Sequence, residues 1–214
     1  MRRYDLAIHG SGLLPGLLAI HLLGCDPGQA LLLAFTDAEP CGDKLEPVLE
    51  ASLSAPARAL VDPFIVREWP RFLVTRQGET TEHPGTVLLL DPVQVWLELR
   101  GLLPDAAMPA ACTDLQWAAP VLSWDDHRVE AGAYVDLSVF ASDGCSEIVG
   151  GTGGTGLPLP VMADFDVGDE PWDAFQHLPL GDDRIYIRKR RCRGPVEDAL
   201  IAGFGRALSD LMGR

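Results

Sequence analysis

The sequence predicts an α/β protein: a helix-backed, Rossmann-like layer of parallel strands with an appended, mostly antiparallel β-sheet layer. Three observations lead there. Residues 4 to 35, YDLAIHGSGLLPGLLAIHLLGCDPGQALLLAF, read as strand, glycine turn, apolar helix and second strand. Later, short alternating runs are separated by Gln77-Gly78, Asp125-Asp126 and Gly181-Asp182-Asp183, the pattern of hairpins. At 214 residues the chain can bury a core without disulfide staples.

Within the first segment, Leu6, Ala7 and Ile8 form an apolar run that Gly10, Ser11 and Gly12 break. Leu13 to Leu23 is then apolar on nearly every side, as in a helix buried under a sheet, and Gly24 is expected to end it. A tight turn at Gly10, a side-chain-free Gly12 and a helix opening behind them offer backbone N–H groups and the positive end of a helix dipole to a pyrophosphate. The candidate cofactor-binding residues are therefore Gly10, Ser11, Gly12, Leu13 and Gly16, with Gly16 expected to let the helix approach the strand. Pro15 falls in the first helical turn, where a missing N–H costs little. The second strand ends in Phe35, where this kind of unit carries a ribose-binding acid. Asp37, with Glu39 beyond it, is the candidate substitute.

A formal net charge of −14 argues against nucleic acid or an anionic membrane surface as a main partner. No apolar run approaches the roughly 18 to 20 residues of a transmembrane segment. Arg2 and Arg3 precede an apolar stretch, but Asp5 and the glycine turn interrupt it, so it reads as a first strand and not a leader. Cys25, Cys41, Cys112, Cys145 and Cys192 show no CxxC and no regular spacing. Neither a metal site nor a disulfide framework is expected, and a reducing cytoplasm is the default.

Residues 37 to 69 hold four prolines and read as an irregular connector with a solvated acidic face and one short helix near Ser54 to Leu60. Trp69 to Glu82 reads as a hairpin turning at Gln77-Gly78. Asp91 is an N-cap and Pro92 a first helical residue. Val93, Trp96, Leu97, Leu99, Leu102 and Leu103 form the apolar face of the helix behind them. Pro120 to Trp124 and Arg128 to Leu137 are strands, with His127 an exposed turn residue. The run GGTGGTG, Gly150 to Gly156, contains GxGxxG, but Pro158 and Pro160 forbid a helix behind it, so it reads as a connection between strands. Val161 to Val167, Ala174 to Leu178 and Arg184 to Lys189 are further strands. The last helix opens at Gly194-Pro195. Arg188, Lys189, Arg190, Arg191 and Arg193 make the only basic cluster, read either as a charge-protected edge strand or as a contact for an acidic protein partner or phosphate.

With these pieces in place the chain resembles the bacterial lycopene beta-cyclases, FAD-containing enzymes that close the ends of linear carotenoids. The segment YDLAIHGSGLLPGLLAIHLLGCDPGQALLL is similar to the family's nucleotide-binding unit, LPLPVMADFDV to a strand of its substrate-binding sheet, and AFQHLPLGDDRIYIRKRRC to the strand pair that carries its essential acid. The resemblance implies one FAD/NAD(P)-binding-like domain over 1–214. Residues 1–45 and 85–140 would form its nucleotide-binding layer, 62–84 and 145–193 its substrate-type sheet, and 194–214 its C-terminal helix. It implies FAD as cofactor and an apolar, isoprenoid-like substrate. Arg188 and Lys189 stand where the family has its acid, and cations there oppose both protonation of the substrate and stabilisation of a carbocation. The chain stops at Arg214, before the family's second glycine-rich flavin-contacting segment. An FAD-dependent oxidoreductase-type protein other than a lycopene cyclase is one expectation. A non-catalytic relative that holds an apolar ligand or a partner protein is the other. No catalytic residue is assigned; Asp164 and Asp166, on one face of their strand, are candidates against the plainer reading of solvated carboxylates.

Overall fold

The computed structural model describes all residues except 37–40, 42–43, 110–111, 113, 139–146, 151–158, 166–171, 182–184, 193–203 and 214. Twelve strands and four α-helices are seen among the described residues. In the first half these are β1 (Arg2–His9), α1 (Leu13–Cys25), β2 (Leu31–Ala34), β3 (Glu46–Leu49), α2 (Ala55–Val61), β4 (Ile65–Arg76), β5 (Glu79–Leu90) and α3 (Pro92–Leu102). There follow β6 (Gln116–Ala118), β7 (Val121–Trp124), β8 (His127–Asp136), β9 (Glu147–Gly150), β10 (Val161–Phe165), β11 (Trp172–Pro179), β12 (Ile185–Cys192) and α4 (Phe204–Met212). The chain divides into two units, one of residues 1–45, 60–64 and 91–141, the other of 46–59, 65–90 and 142–214. No helix among the described residues is long and apolar enough to cross a membrane.

The first unit is built on a sheet of order β2-β1-β8-β7-β6. The strands β2, β1 and β8 run parallel, and β7 and β6 return antiparallel as a meander. Leu31, Leu32 and Leu33 of β2 are all buried, the continuous apolar run of a strand covered on both faces. Helix α1 runs through Gly24 to Cys25, one residue beyond the sequence expectation, and buries Leu13, Leu14, Leu17, Leu18, Ala19 and Leu23. In α3, Asp91 caps the helix by accepting from the Val93 N–H at 2.9 Å, as the sequence indicates. Its buried face is narrower than expected: Val95, Leu99 and Leu103 are inside, whereas Val93, Leu97 and Leu102 are exposed.

The role expected of Gly16 needs correction. A Cβ there would come within 3.1 Å of Val95, Leu99 and Cys41, so the glycine lets α1 pack on α3, not on a strand.

The second unit carries a seven-stranded sheet of order β3-β5-β4-β10-β11-β12-β9. Its centre is the β4–β5 hairpin, which turns at Gln77 and Gly78, both at positive φ, as a two-residue loop requires. The hairpin is longer than the sequence indicates, running from Ile65 to Leu90. Its register shifts between Trp69 and Arg71, beside Pro70 and opposite Gly85, which sits at φ 141°. The connector is also more ordered than expected. It contributes β3, where Pro47 is tolerated because β3 is an edge strand, and α2, entered through Ser54.

The sheet is strongly curled. Glu46 of β3 and Arg188 of β12 are five places apart in strand order, about 24 Å in a flat sheet at ~4.8 Å per strand. They nevertheless form an ion pair at 2.7 Å, both side chains largely buried. Arg188 lies across from Gln176 in the register, and Gln176 donates to the Met162 carbonyl at 3.2 Å. On α4, Gly205 allows close approach, since a Cβ there would run into Ser52 and Val48. Ser209 ties the helix down, accepting from the Ser54 N–H and donating to the Ser52 carbonyl.

Candidate functional site

Ligands of open α/β sheets bind beyond the carboxyl ends of parallel strands. In the first unit those ends are Ala34 of β2, His9 of β1 and Asp136 of β8, with Gly10 to Gly12 leading from β1 into α1. The turn is held from both sides. The Gly10 N–H donates to the Ala34 carbonyl at 3.0 Å, and the Leu137 N–H donates to the His9 carbonyl at 2.7 Å. The Ser11 hydroxyl accepts from the Thr36 N–H at 3.1 Å and shares a short hydrogen bond with the Thr36 hydroxyl.

Gly10 and Gly12 both have positive φ, 147° and 88°. A Cβ on Gly10 would press on the Leu137 backbone and Pro15 at 3.0–3.1 Å; one on Gly12 would meet nothing within 4 Å. The first glycine is thus demanded by the fold, and the second leaves open space in front of the helix. Among the described residues no side chain caps α1, and no acidic residue lies in its first turn. A helix start of this kind directs backbone N–H groups and the positive end of its dipole at an anion. The structure brings Gly10, Ser11, Gly12 and Leu13 together at this one place. Gly16 is a packing residue one turn on. Asp37 lies outside the described residues.

Phe35, in the position of the missing acid, is fully buried and meets Trp96 of α3 edge to face, ring centroids 5.8 Å apart. Its backbone is also engaged: its N–H donates to the Pro109 carbonyl, and its carbonyl accepts from the Cys112 N–H. Burial pushes the Cys112 thiol up to about 11, with nearby Asp125 adding to the effect.

On the other side of β1 lies a group that the sequence did not point to. His9 Nδ1 stands 3.3 Å from Asp136 Oδ1 and 3.2 Å from Tyr134 Oη. Tyr134 stacks between His9 and Trp117. Burial works to raise the Asp136 carboxyl, but hydrogen bonds from Ser138 and the adjacent His9 outweigh it and hold the group below its ordinary value. Burial, reinforced by the Asp136 charge, pushes the Tyr134 phenol up to about 12. The signal available in the sequence was that His9 and Asp136 each end a strand. That these strands are parallel neighbours, 127 residues apart along the chain, was not visible.

In the second unit, Arg188 is 5% exposed and paired with Glu46, so it belongs to the interior and not to a surface patch. The side chains of Lys189, Arg190 and Arg191, the Asp164 side chain, and Arg193 and Asp166 lie outside the described residues. So does most of the Gly150 to Gly156 run.

No family model matches the sequence, and no curated protein matches it. Solved structures do. The chain is similar to a flavin-dependent halogenase from Xanthomonas campestris, at 12% identity and a TM-score of 0.57, over 92% of this chain and 57% of that one. It is similar to p-nitrophenol 4-monooxygenase from Pseudomonas putida, at 14% identity and 0.55, over 100% and 63%. It is similar to 2,6-dihydroxypyridine-3-hydroxylase from Arthrobacter nicotinovorans, at 14% identity and 0.51, over 92% and 58%. The chain thus spans between about half and two thirds of the length of these proteins. At such identities the likeness shows the fold alone, a mixed α/β fold with two sheets.

Proposed function

We propose that the chain binds the pyrophosphate of FAD on the turn Gly10-Ser11-Gly12 and the first residues of α1, and that it is an FAD-dependent oxidoreductase-type protein. The observation that carries this reading is the open helix start: a Cβ on Gly12 would meet nothing within 4 Å, and among the described residues no side chain caps α1. The likeness in fold to a flavin-dependent halogenase supports flavin over other dinucleotides. FAD, when bound, would supply the redox chemistry. This chain's contribution at the turn is to neutralise and orient its phosphates. The ribose does not find its acceptor at Phe35, whose side chain is buried.

The substrate class that the resemblance supports is apolar and isoprenoid-like, bound by the second unit's sheet. Carotenoid cyclisation is not the reaction. Arg188, paired with Glu46, occupies the strand that carries the cyclases' acid, and a buried cation cannot protonate a polyene. The same observation favours a second reading, in which the chain is a non-catalytic relative holding an apolar ligand or a partner protein.

An absorption spectrum of the purified protein, followed by FAD titration with flavin fluorescence as readout, tests the first reading. Saturable binding at one FAD per chain supports it. No change up to high micromolar FAD contradicts it and leaves the second.

A further inference from the structure

We infer that the Asp136 carboxylate recognises sugar hydroxyl groups of the ligand whose pyrophosphate sits on the glycine turn. This rests on the nucleotide-binding reading of that turn and adds a second point of contact to it. Three observations place the carboxylate there. Asp136 lies beside His9 in the parallel register of β1 and β8, and His9 leads directly into Gly10. The next residue, Leu137, donates its N–H to the His9 carbonyl at 2.7 Å. The Leu137 backbone stands so near Gly10 that a Cβ on that glycine would come within 3.0 Å of it. The end of β8 is therefore packed against the first residue of the turn.

The side chain is held ready as an acceptor. Oδ1 takes the Ser138 N–H at 2.9 Å and has His9 Nδ1 at 3.3 Å, which fixes the carboxylate at its strand end, yet the side chain is 46% exposed. An ionised carboxylate offers about four lone-pair sites, more than these contacts occupy. The same contacts hold the group below its ordinary value, so it is charged at neutral pH. Beside a pyrophosphate such a charge has one favourable use. It repels the phosphates, but it accepts strong, charge-assisted hydrogen bonds from hydroxyl groups. The ribose and the ribityl chain that flank the pyrophosphate of FAD both carry them. The end of β2 cannot take this part, because Phe35 there is buried.

The repulsion and the hydrogen bonds act with opposite sign on affinity, so calorimetric titration of Asp136→Asn decides between them. With the contact in place, the folded variant binds FAD roughly tenfold to a hundredfold more weakly than the wild type. Inorganic pyrophosphate, which has no sugar, binds the variant at least as well as the wild type. ADP separates the two sources: weakened ADP binding assigns the contact to the ribose, and weakened FAD binding with ADP unimpaired assigns it to the ribityl chain. If thermal unfolding shows that the variant does not fold, the wild type carries the test with ADP lacking its ribose hydroxyls and FAD lacking its ribityl hydroxyls. One of these then binds roughly tenfold or more weakly than its parent, and full affinity for both overturns the inference. FAD binding by the folded variant as tight as the wild type or tighter also overturns it, and so does equal weakening of FAD and pyrophosphate, while the nucleotide site stands. Absence of FAD binding by the wild type overturns this inference and the reading of the turn together.

Discussion

β2 and β8 flank β1 on opposite sides and end in opposite chemistry. The end of β2 is closed: Phe35 is buried against Trp96, and its backbone is bonded to Pro109 and Cys112. The end of β8 is polar: the Asp136 side chain is 46% exposed and sits beside His9. A dinucleotide fold usually has its acid on the first side. Here, among the described residues, the carboxylate at the parallel strand ends is on the second. The difference shows that the turn and helix start of a familiar binding frame can be kept while a buried aromatic residue fills the position at the end of the neighbouring strand.

The most severe way to probe this is Phe35→Asp, which restores the usual residue type. Loss of the aromatic packing together with a buried charge is expected to destabilise the first unit by about 3–5 kcal/mol in urea unfolding. A stable variant with improved FAD binding would mean that the β2 end is open after all. Gly16→Val is expected to cost about 1–3 kcal/mol by forcing α1 away from Val95 and Leu99, and to weaken FAD binding only through that shift. Loss of the Asp91 cap in Asp91→Ala is worth about 1 kcal/mol and should leave the turn untouched.

Smaller effects distinguish the two ends more finely. Because Asp136 titrates below its ordinary value, its contribution to stability is complete above about pH 3.9 and is lost as the pH falls below that. Asp136→Asn should remove that part of the acid limb in a thermal unfolding series. At the closed end, Cys112 is buried and its thiol raised to about 11, whereas Cys25 is exposed. A thiol reagent at neutral pH should label Cys25 promptly and Cys112 only on unfolding. Early labelling of Cys112 would show that the packing around Phe35 and Cys112 opens.

The parts of the fold legible in the sequence were those fixed by local chemistry. The β1-turn-α1 unit, the cap at Asp91-Pro92 and the turn at Gln77-Gly78 depend on residues within a few positions of one another. Long-range pairings were not legible. Glu46 read as part of a solvated face because nothing local says that the sheet curls to bring Arg188 to it. The role of Gly205 is not legible either, because Ser52, the side chain it makes room for, is more than 150 residues away. The candidate site divides in the same way, with Gly10 to Leu13 evident from spacing and the His9–Asp136 pair hidden in a parallel register.

The most direct measurement is calorimetric titration of FAD into the wild type and into Gly12→Asp, with thermal unfolding of both as a check on the fold. The open space at Gly12 accepts the side chain without a clash, although its positive φ costs the variant some strain. A carboxylate there faces the phosphates, so FAD should bind the wild type one to one and the folded variant roughly a hundredfold more weakly. Equal binding by both, or none by the wild type, would contradict the assignment of the pyrophosphate to the glycine turn.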